Sequence, residues 1–123
     1  LNEMILIKDN HSKLINNLQK SISSVRTQIG SSKKIELEVD SLESAMKAID
    51  FDIDIILLDN MQPEDILKFM NKIKSLPKPP LTEASGGITF SNLESYASTQ
   101  VDIISMGTLT HSSKSIDFSL QII

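Results

Sequence analysis

The chain has 123 residues, enough for one domain with a sizeable core, and its 40% hydrophobic and 23% charged residues are those of an ordinary globular protein. A formal net charge of -4 argues against a general grip on nucleic acid, which needs clustered Lys and Arg, so any phosphate has to be held locally. The lack of cysteine excludes disulfides and thiolate metal sites. No apolar run approaches the roughly 20 residues that span a bilayer and no charged leader precedes one, so no membrane partner is expected and the expected location is the cytoplasm.

The pattern enters a strand almost at once. Met4-Ile5-Leu6-Ile7 is short and apolar, Lys8-Asp9-Asn10-His11 breaks it, and this abrupt start reads as a piece of a longer protein. From about Lys13 to Ile29 the residues Leu14, Ile15, Leu18, Ile22, Val25 and Ile29 recur at helical spacing, and Gly30 ends the helix. Lys34 to Val39 alternates as a strand. Asp40 with Glu43 has the form of a capping box before a helix carrying Leu42, Ala45, Met46 and Ile49.

Ile53 to Leu58 reads as a buried parallel strand interrupted by Asp54. Pro63 suits the first position of a helix that carries Ile66, Leu67, Phe69, Met70 and Ile73. Leu76 to Pro80 is a connector. Leu81 to Ala84 is a strand, Gly86-Gly87 a turn, and Ser91 with Glu94 a second capping box before Leu93, Tyr96 and Ala97. Val101 to Met106 is a further strand closed by Gly107, and the tail Ile116 to Ile123 fits either a strand or a short helix.

Strand then helix, repeated four times, predicts an α/β fold with a parallel sheet, either a complete flavodoxin-like sheet or the latter part of a (β/α) barrel. The abrupt start favours the barrel. In either case the carboxyl ends of the strands gather the functional residues, here Lys8, Glu38, Asp59, Ser85-Gly86-Gly87 and Met106-Gly107-Thr108. Glu38 and Asp59, near the ends of consecutive strands, are a carboxylate pair suited to Mg²⁺ and substrate hydroxyls, or simply two solvated acids; Glu36, which shares a face with Glu38 by the period of two, speaks for the second reading.

The two glycine segments let backbone amides approach one phosphate, although glycine after a strand is often only a turn. Lys8 reads as an anion contact or as a surface lysine. His111 can donate to a phosphate, His11 can cap the following helix, and the spacing of the two histidines does not suit zinc.

Lys8-Asp9-Asn10-His11, Glu36-Leu37-Glu38-Val39-Asp40, Leu57-Leu58-Asp59-Asn60-Met61, Glu83-Ala84-Ser85-Gly86-Gly87-Ile88 and Gly107-Thr108-Leu109-Thr110-His111-Ser112 together resemble, in order and spacing, the quinolinate phosphoribosyltransferases. These are also called carboxylating nicotinate-nucleotide pyrophosphorylases. The resemblance implies an N-terminal open sandwich and a C-terminal seven-stranded α/β barrel, with residues 1–123 as the latter part of the barrel. It implies transfer of phosphoribose from 5-phosphoribosyl-1-pyrophosphate to quinolinate with decarboxylation, yielding nicotinate mononucleotide, pyrophosphate and CO₂ for NAD synthesis, in a homodimer or hexamer.

By that resemblance Lys8 contacts substrate, and Glu38 and Asp59 serve the ribose hydroxyls and Mg²⁺. Ser85, Gly86, Gly87, Met106, Gly107 and Thr108, with His111, hold the 5-phosphate. One departure stands out. The family grips quinolinate with a cluster of Arg, Lys and His, whereas Arg26 is the single arginine here, so residues 1–123 alone are expected to be inactive. The alternatives are a molybdenum-transport-associated paralogue and a non-catalytic, receiver-like α/β domain; the lysine that ends the first strand speaks against a receiver.

Overall fold

A computed structural model describes residues 4–8, 15–109 and 115–121 of the chain. The order is β1 (Met4–Lys8), α1 (Ile15–Ile29), β2 (Lys34–Val39), α2 (Leu42–Lys47), a 3₁₀ turn (Ala48–Asp50), β3 (Ile55–Asp59) and α3 (Pro63–Ile73). Then follow β4 (Leu81–Ser85), α4 (Leu93–Ala97), β5 (Ile103–Leu109) and β6 (Ser115–Gln121). The six strands form one sheet in strictly sequential order. β1 to β5 are parallel, and β6 returns antiparallel to β5, so the tail left open by its pattern is a strand.

Sequential order decides between the two architectures. A flavodoxin-like or receiver-like sheet places its first strand inside the sheet, at a reversal of direction. Here β1 pairs with β2 at one edge and the order never reverses, which is the winding of a (β/α) barrel.

The period of two in the strands separates the faces. Ile35, Leu37, Val39, Ile56, Leu58, Ala84, Ile104 and Met106 are buried in one cluster with Ile22 of α1, Ala45 of α2, Ile66, Phe69 and Ile73 of α3, and Tyr96 of α4. The alternate residues, including Glu36, Glu38, Asp59, Glu83, Ser85 and Ser105, lie half-buried on the other face. The helices therefore all pack on one side of the sheet, and the opposite side mixes these polar residues with Leu6, Ile55, Leu57 and Ile103.

Several helix ends differ from the sequence expectation. At α2 the cap is Ser41, whose Oγ accepts from the Ser44 amide at 3.1 Å, and not the Asp40–Glu43 box. At α4 the N-cap position is Asn92, and its side chain is used elsewhere: Oδ1 accepts from the Thr89 amide at 2.8 Å and Nδ2 donates to the Gly87 carbonyl at 2.9 Å. Ser91 instead meets the Thr89 hydroxyl. α3 opens as expected, with a proline in its first turn followed by Glu64 and Asp65, whose charges suit a helix N-terminus. Gly30, at φ 59, ends α1 and donates to the Arg26 carbonyl.

Candidate functional site

The carboxyl ends of β1 to β4 lie side by side. Lys8 is in register with Glu38, and its Nζ is 3.8 Å from Glu38 Oε2; the lysine side chain is 59% exposed and the glutamate 21%. Such an exposed pair contributes little to stability, so the lysine is free in energetic terms to exchange its partner for an anionic ligand. Glu38 is in register with Leu57, which puts Asp59 one pleat further along the same face of β3. Asp59 in turn faces Ser85, whose hydroxyl donates to Asp59 Oδ1 at 3.4 Å. Lys8, Glu38, Asp59 and Ser85 are thus brought to one rim, on the polar face.

After Ser85 the chain turns through Gly86 and Gly87, both left-handed at φ 87 and φ 70. Only glycine adopts such angles in succession without strain. At Gly86 the space is also closed: a Cβ there would stand 2.5 Å from Asn60 Oδ1 and 2.9 Å from the Asn60 amide nitrogen. Asn60 follows Asp59 directly, is itself left-handed at φ 56, and donates its main-chain N–H to the Ser85 carbonyl at 2.9 Å. The Asp59 and Gly86 loops are therefore in direct contact. The Asn92 side chain braces the far side by its bond to the Gly87 carbonyl.

The second glycine segment differs from the expected loop. Met106, Gly107 and Thr108 all lie inside β5, where Gly107 pairs with Asp117 and Thr108 with Ile116 of β6. Gly107 is not among the glycines of positive φ. The apolar run continues past the glycine because β6 supplies a hydrogen-bonding partner there, a non-local pairing that the local sequence does not encode. Met106 is 4% exposed and packs among the helices, so only its main chain can face a ligand at this rim. His111, like His11, lies outside the described residues.

A second ring of polar residues sits further down the same face. Glu36 is flanked by Glu38 and Glu83, and Ser105 Oγ donates to Glu83 Oε2 at 2.7 Å. Burial, with the charges of Glu83 and Glu38 adding to it, pushes the Glu36 carboxyl above its usual range. Glu83, Ser105 and Asn60 were not singled out from the sequence as site residues. The period-two pattern of β4 and β5 was the available signal for the first two.

Among the described residues there is no group of three or more His, Asp or Glu that could hold a metal. Glu38 and Asp59 are hard oxygen donors on one face, which suits a Mg²⁺ ion that takes one or two carboxylates and completes its shell from substrate phosphate and water. A resident cage of protein ligands is not what these residues build.

A barrel-type α/β sheet with carboxylates and a glycine loop at the carboxyl ends of its strands has the arrangement in which (β/α)-barrel enzymes gather their sites. Residues 1–121 match the model of the quinolinate phosphoribosyl transferase C-terminal domain, and the chain belongs to that family. It is 41% identical over 124 residues to a protein of Methanothermobacter thermautotrophicus, covering 99% of this chain and 44% of that one. It is 40% identical over 127 residues to a protein of Methanocaldococcus jannaschii, covering 100% and 44%. Both bear the name "Probable nicotinate-nucleotide pyrophosphorylase [carboxylating]". The crystal structure of NadC from Streptococcus pyogenes superposes with a TM-score of 0.72 at 33% identity, covering 98% of this chain and 43% of that one. The chain thus spans less than half the length of these relatives.

Proposed function

We propose that the complete protein carrying this chain transfers the phosphoribosyl group of 5-phosphoribosyl-1-pyrophosphate to quinolinate, releasing pyrophosphate and CO₂ and forming nicotinate mononucleotide for NAD synthesis. Residues 1–123 form the C-terminal portion of its phosphoribosyltransferase barrel domain. Family membership and the names of the relatives support this reading. The single observation that carries it is the contact of Asp59 with Ser85, and of the following Asn60 with Gly86, across adjacent parallel strands, which sets a carboxylate beside a glycine loop suited to an anion.

In this reading the Ser85 hydroxyl and the Gly86 and Gly87 amides, with the main chain of Met106, Gly107 and Thr108 and with His111, hold the 5-phosphate. Glu38 and Asp59 accept hydrogen bonds from the ribose hydroxyls, and Lys8 contacts the anionic substrate. As the bond from C1 to pyrophosphate breaks, its electron pair leaves with the pyrophosphate and positive charge grows on the ribose. The fixed carboxylates stabilise that charge. The pyridine nitrogen bonds to C1, and the resulting pyridinium accepts the electron pair released when the neighbouring carboxylate leaves as CO₂; a proton then takes its place on the ring. Glu38 and Asp59 would hold Mg²⁺, which would supply neutralising charge for the departing pyrophosphate. Positioning and electrostatics carry the remainder, without an organic cofactor.

No described helix is long and apolar enough to cross a membrane, and the proposed setting is the cytoplasm, in a homodimer or hexamer. The test is product formation. Purified complete protein given quinolinate, 5-phosphoribosyl-1-pyrophosphate and Mg²⁺ releases CO₂ and nicotinate mononucleotide in equal amounts, and chelation of the metal stops it. Absence of nicotinate mononucleotide would remove this reading and favour the molybdenum-transport-associated paralogue.

A further inference from the structure

We propose that Asn60 is a positioning residue of the site, which fixes the Ser85-Gly86-Gly87 loop against Asp59 and thereby sets the affinity for the phosphorylated end of the substrate. This rests on the assignment of that loop to the 5-phosphate.

Three observations meet at Asn60. Its backbone is left-handed at φ 56, a conformation that asparagine tolerates better than other side-chain-bearing residues. Its N–H is committed to the Ser85 carbonyl at 2.9 Å, a bond that crosses from the β3 loop to the β4 loop. Its side chain occupies the space that a Cβ on Gly86 would need, with Oδ1 2.5 Å and Cγ 2.9 Å from that position.

The consequence is mechanical. Two successive left-handed glycines have many accessible conformations and would lose their order readily. Asn60, itself exposed, removes that freedom at Gly86, while the Asn92 bond to the Gly87 carbonyl limits it at the next residue. Loop amides ordered before a ligand arrives bind it more tightly, since the ordering cost has already been met.

The discriminating variant is Asn60→Gly in the complete protein, because glycine keeps φ 56 and the amide bond to Ser85 while deleting the side chain. Amide hydrogen exchange at residues 85–87 should rise about tenfold, with the remaining sheet unchanged and the melting temperature within about 2 °C. Affinity for 5-phosphoribosyl-1-pyrophosphate should fall on the order of tenfold, and quinolinate affinity should change less than about twofold. Asn60→Asp, which retains the shape and the tolerance of left-handed backbone, should keep exchange at 85–87 slow, and it serves if the glycine variant does not fold.

Unchanged exchange at 85–87 in Asn60→Gly, or fast exchange in Asn60→Asp, overturns the proposal. So does an equal loss of affinity for both substrates. If wild type does not bind the donor, the phosphate assignment fails by itself, and the exchange measurement still reports whether Asn60 orders the loop.

Discussion

Gly86 is held between two demands, a backbone angle that side chains avoid and a neighbour that leaves no space for one. Gly86→Ala should therefore cost stability, about 1–3 kcal/mol by denaturant unfolding, because both the φ of 87 and the contact with the Asn60 amide nitrogen must be relieved by moving backbone. Glu36 is a different kind of residue, a carboxylate kept among other carboxylates. Burial first, then Glu83 and Glu38, raises its pKa in the folded protein, so the folded state binds its proton more tightly than the unfolded chain does. That contribution is fully present below the unfolded pKa and is lost as the pH rises through the folded one. Glu36→Gln should accordingly raise the melting temperature at pH 8, and the gain should vanish near pH 4; a gain of equal size at both pH values would contradict the assignment.

Two strands begin in the same manner. In Ile53-Asp54-Ile55-Ile56 and Val101-Asp102-Ile103-Ile104, an aspartate just before the strand accepts the main-chain N–H of the neighbouring strand, Asp54 from Ile35 at 2.8 Å and Asp102 from Thr82 at 2.8 Å. Asp54 is thus no interruption of β3: the carboxylate pins the amino end of the sheet and the strand begins after it. Arg26, at the end of α1, completes the first of these joints. It donates to the carbonyls of Gly30, Lys33 and Asp52 and to Asp54 Oδ2 at 2.7 Å, and its Nε lies 3.3 Å from Asp52 Oδ2.

Burial opposes the charge on Asp54, but the bonds from Arg26 and the Ile35 amide, with the charges of Arg26 and Lys34, prevail and lower its pKa. Asp54→Asn should cost about 1–3 kcal/mol at pH 6. For a lowered pKa the stabilisation is complete above the unfolded value and disappears as the pH falls through the folded one, so the two proteins should converge in acid unfolding only as the pH falls below the ordinary aspartate range.

The strand-helix alternation, the proline that opens α3 and the glycine that ends α1 were legible because each is local chemistry. So were Lys8, Glu38, Asp59 and the Ser85 loop, since a period of two fixes which residues reach a strand's end on one face. What the sequence did not reveal depends on partners distant along the chain. β5 runs through Gly107 because β6 pairs with it, Asn92 serves the glycine loop and not a helix cap, and Asn60 acquires its place only when β3 and β4 lie side by side.

At the scale of the molecule the chemistry is divided by position. The rim at the strand ends holds the carboxylates and the glycine loop, whereas Arg26 is committed at the opposite end of the sheet, beside the starts of β2 and β3. Being the single arginine of the sequence, it leaves this rim without a guanidinium for the dianionic pyridine of the proposed reaction. Residues 1–123 expressed by themselves should therefore show negligible turnover, and formation of nicotinate mononucleotide by that polypeptide would show that the quinolinate grip lies within it.

In the proposed reaction this portion of the barrel serves the phosphoribosyl donor. That role is tested most directly by titrating the complete protein with 5-phosphoribosyl-1-pyrophosphate in the presence and absence of Mg²⁺, beside its Asp59→Ala variant. The wild type should bind with Mg²⁺-dependent affinity, and Asp59→Ala should lose on the order of tenfold or more of it while retaining its affinity for quinolinate. Equal donor affinity in the two proteins would mean that Asp59 takes no part in holding the donor or its metal.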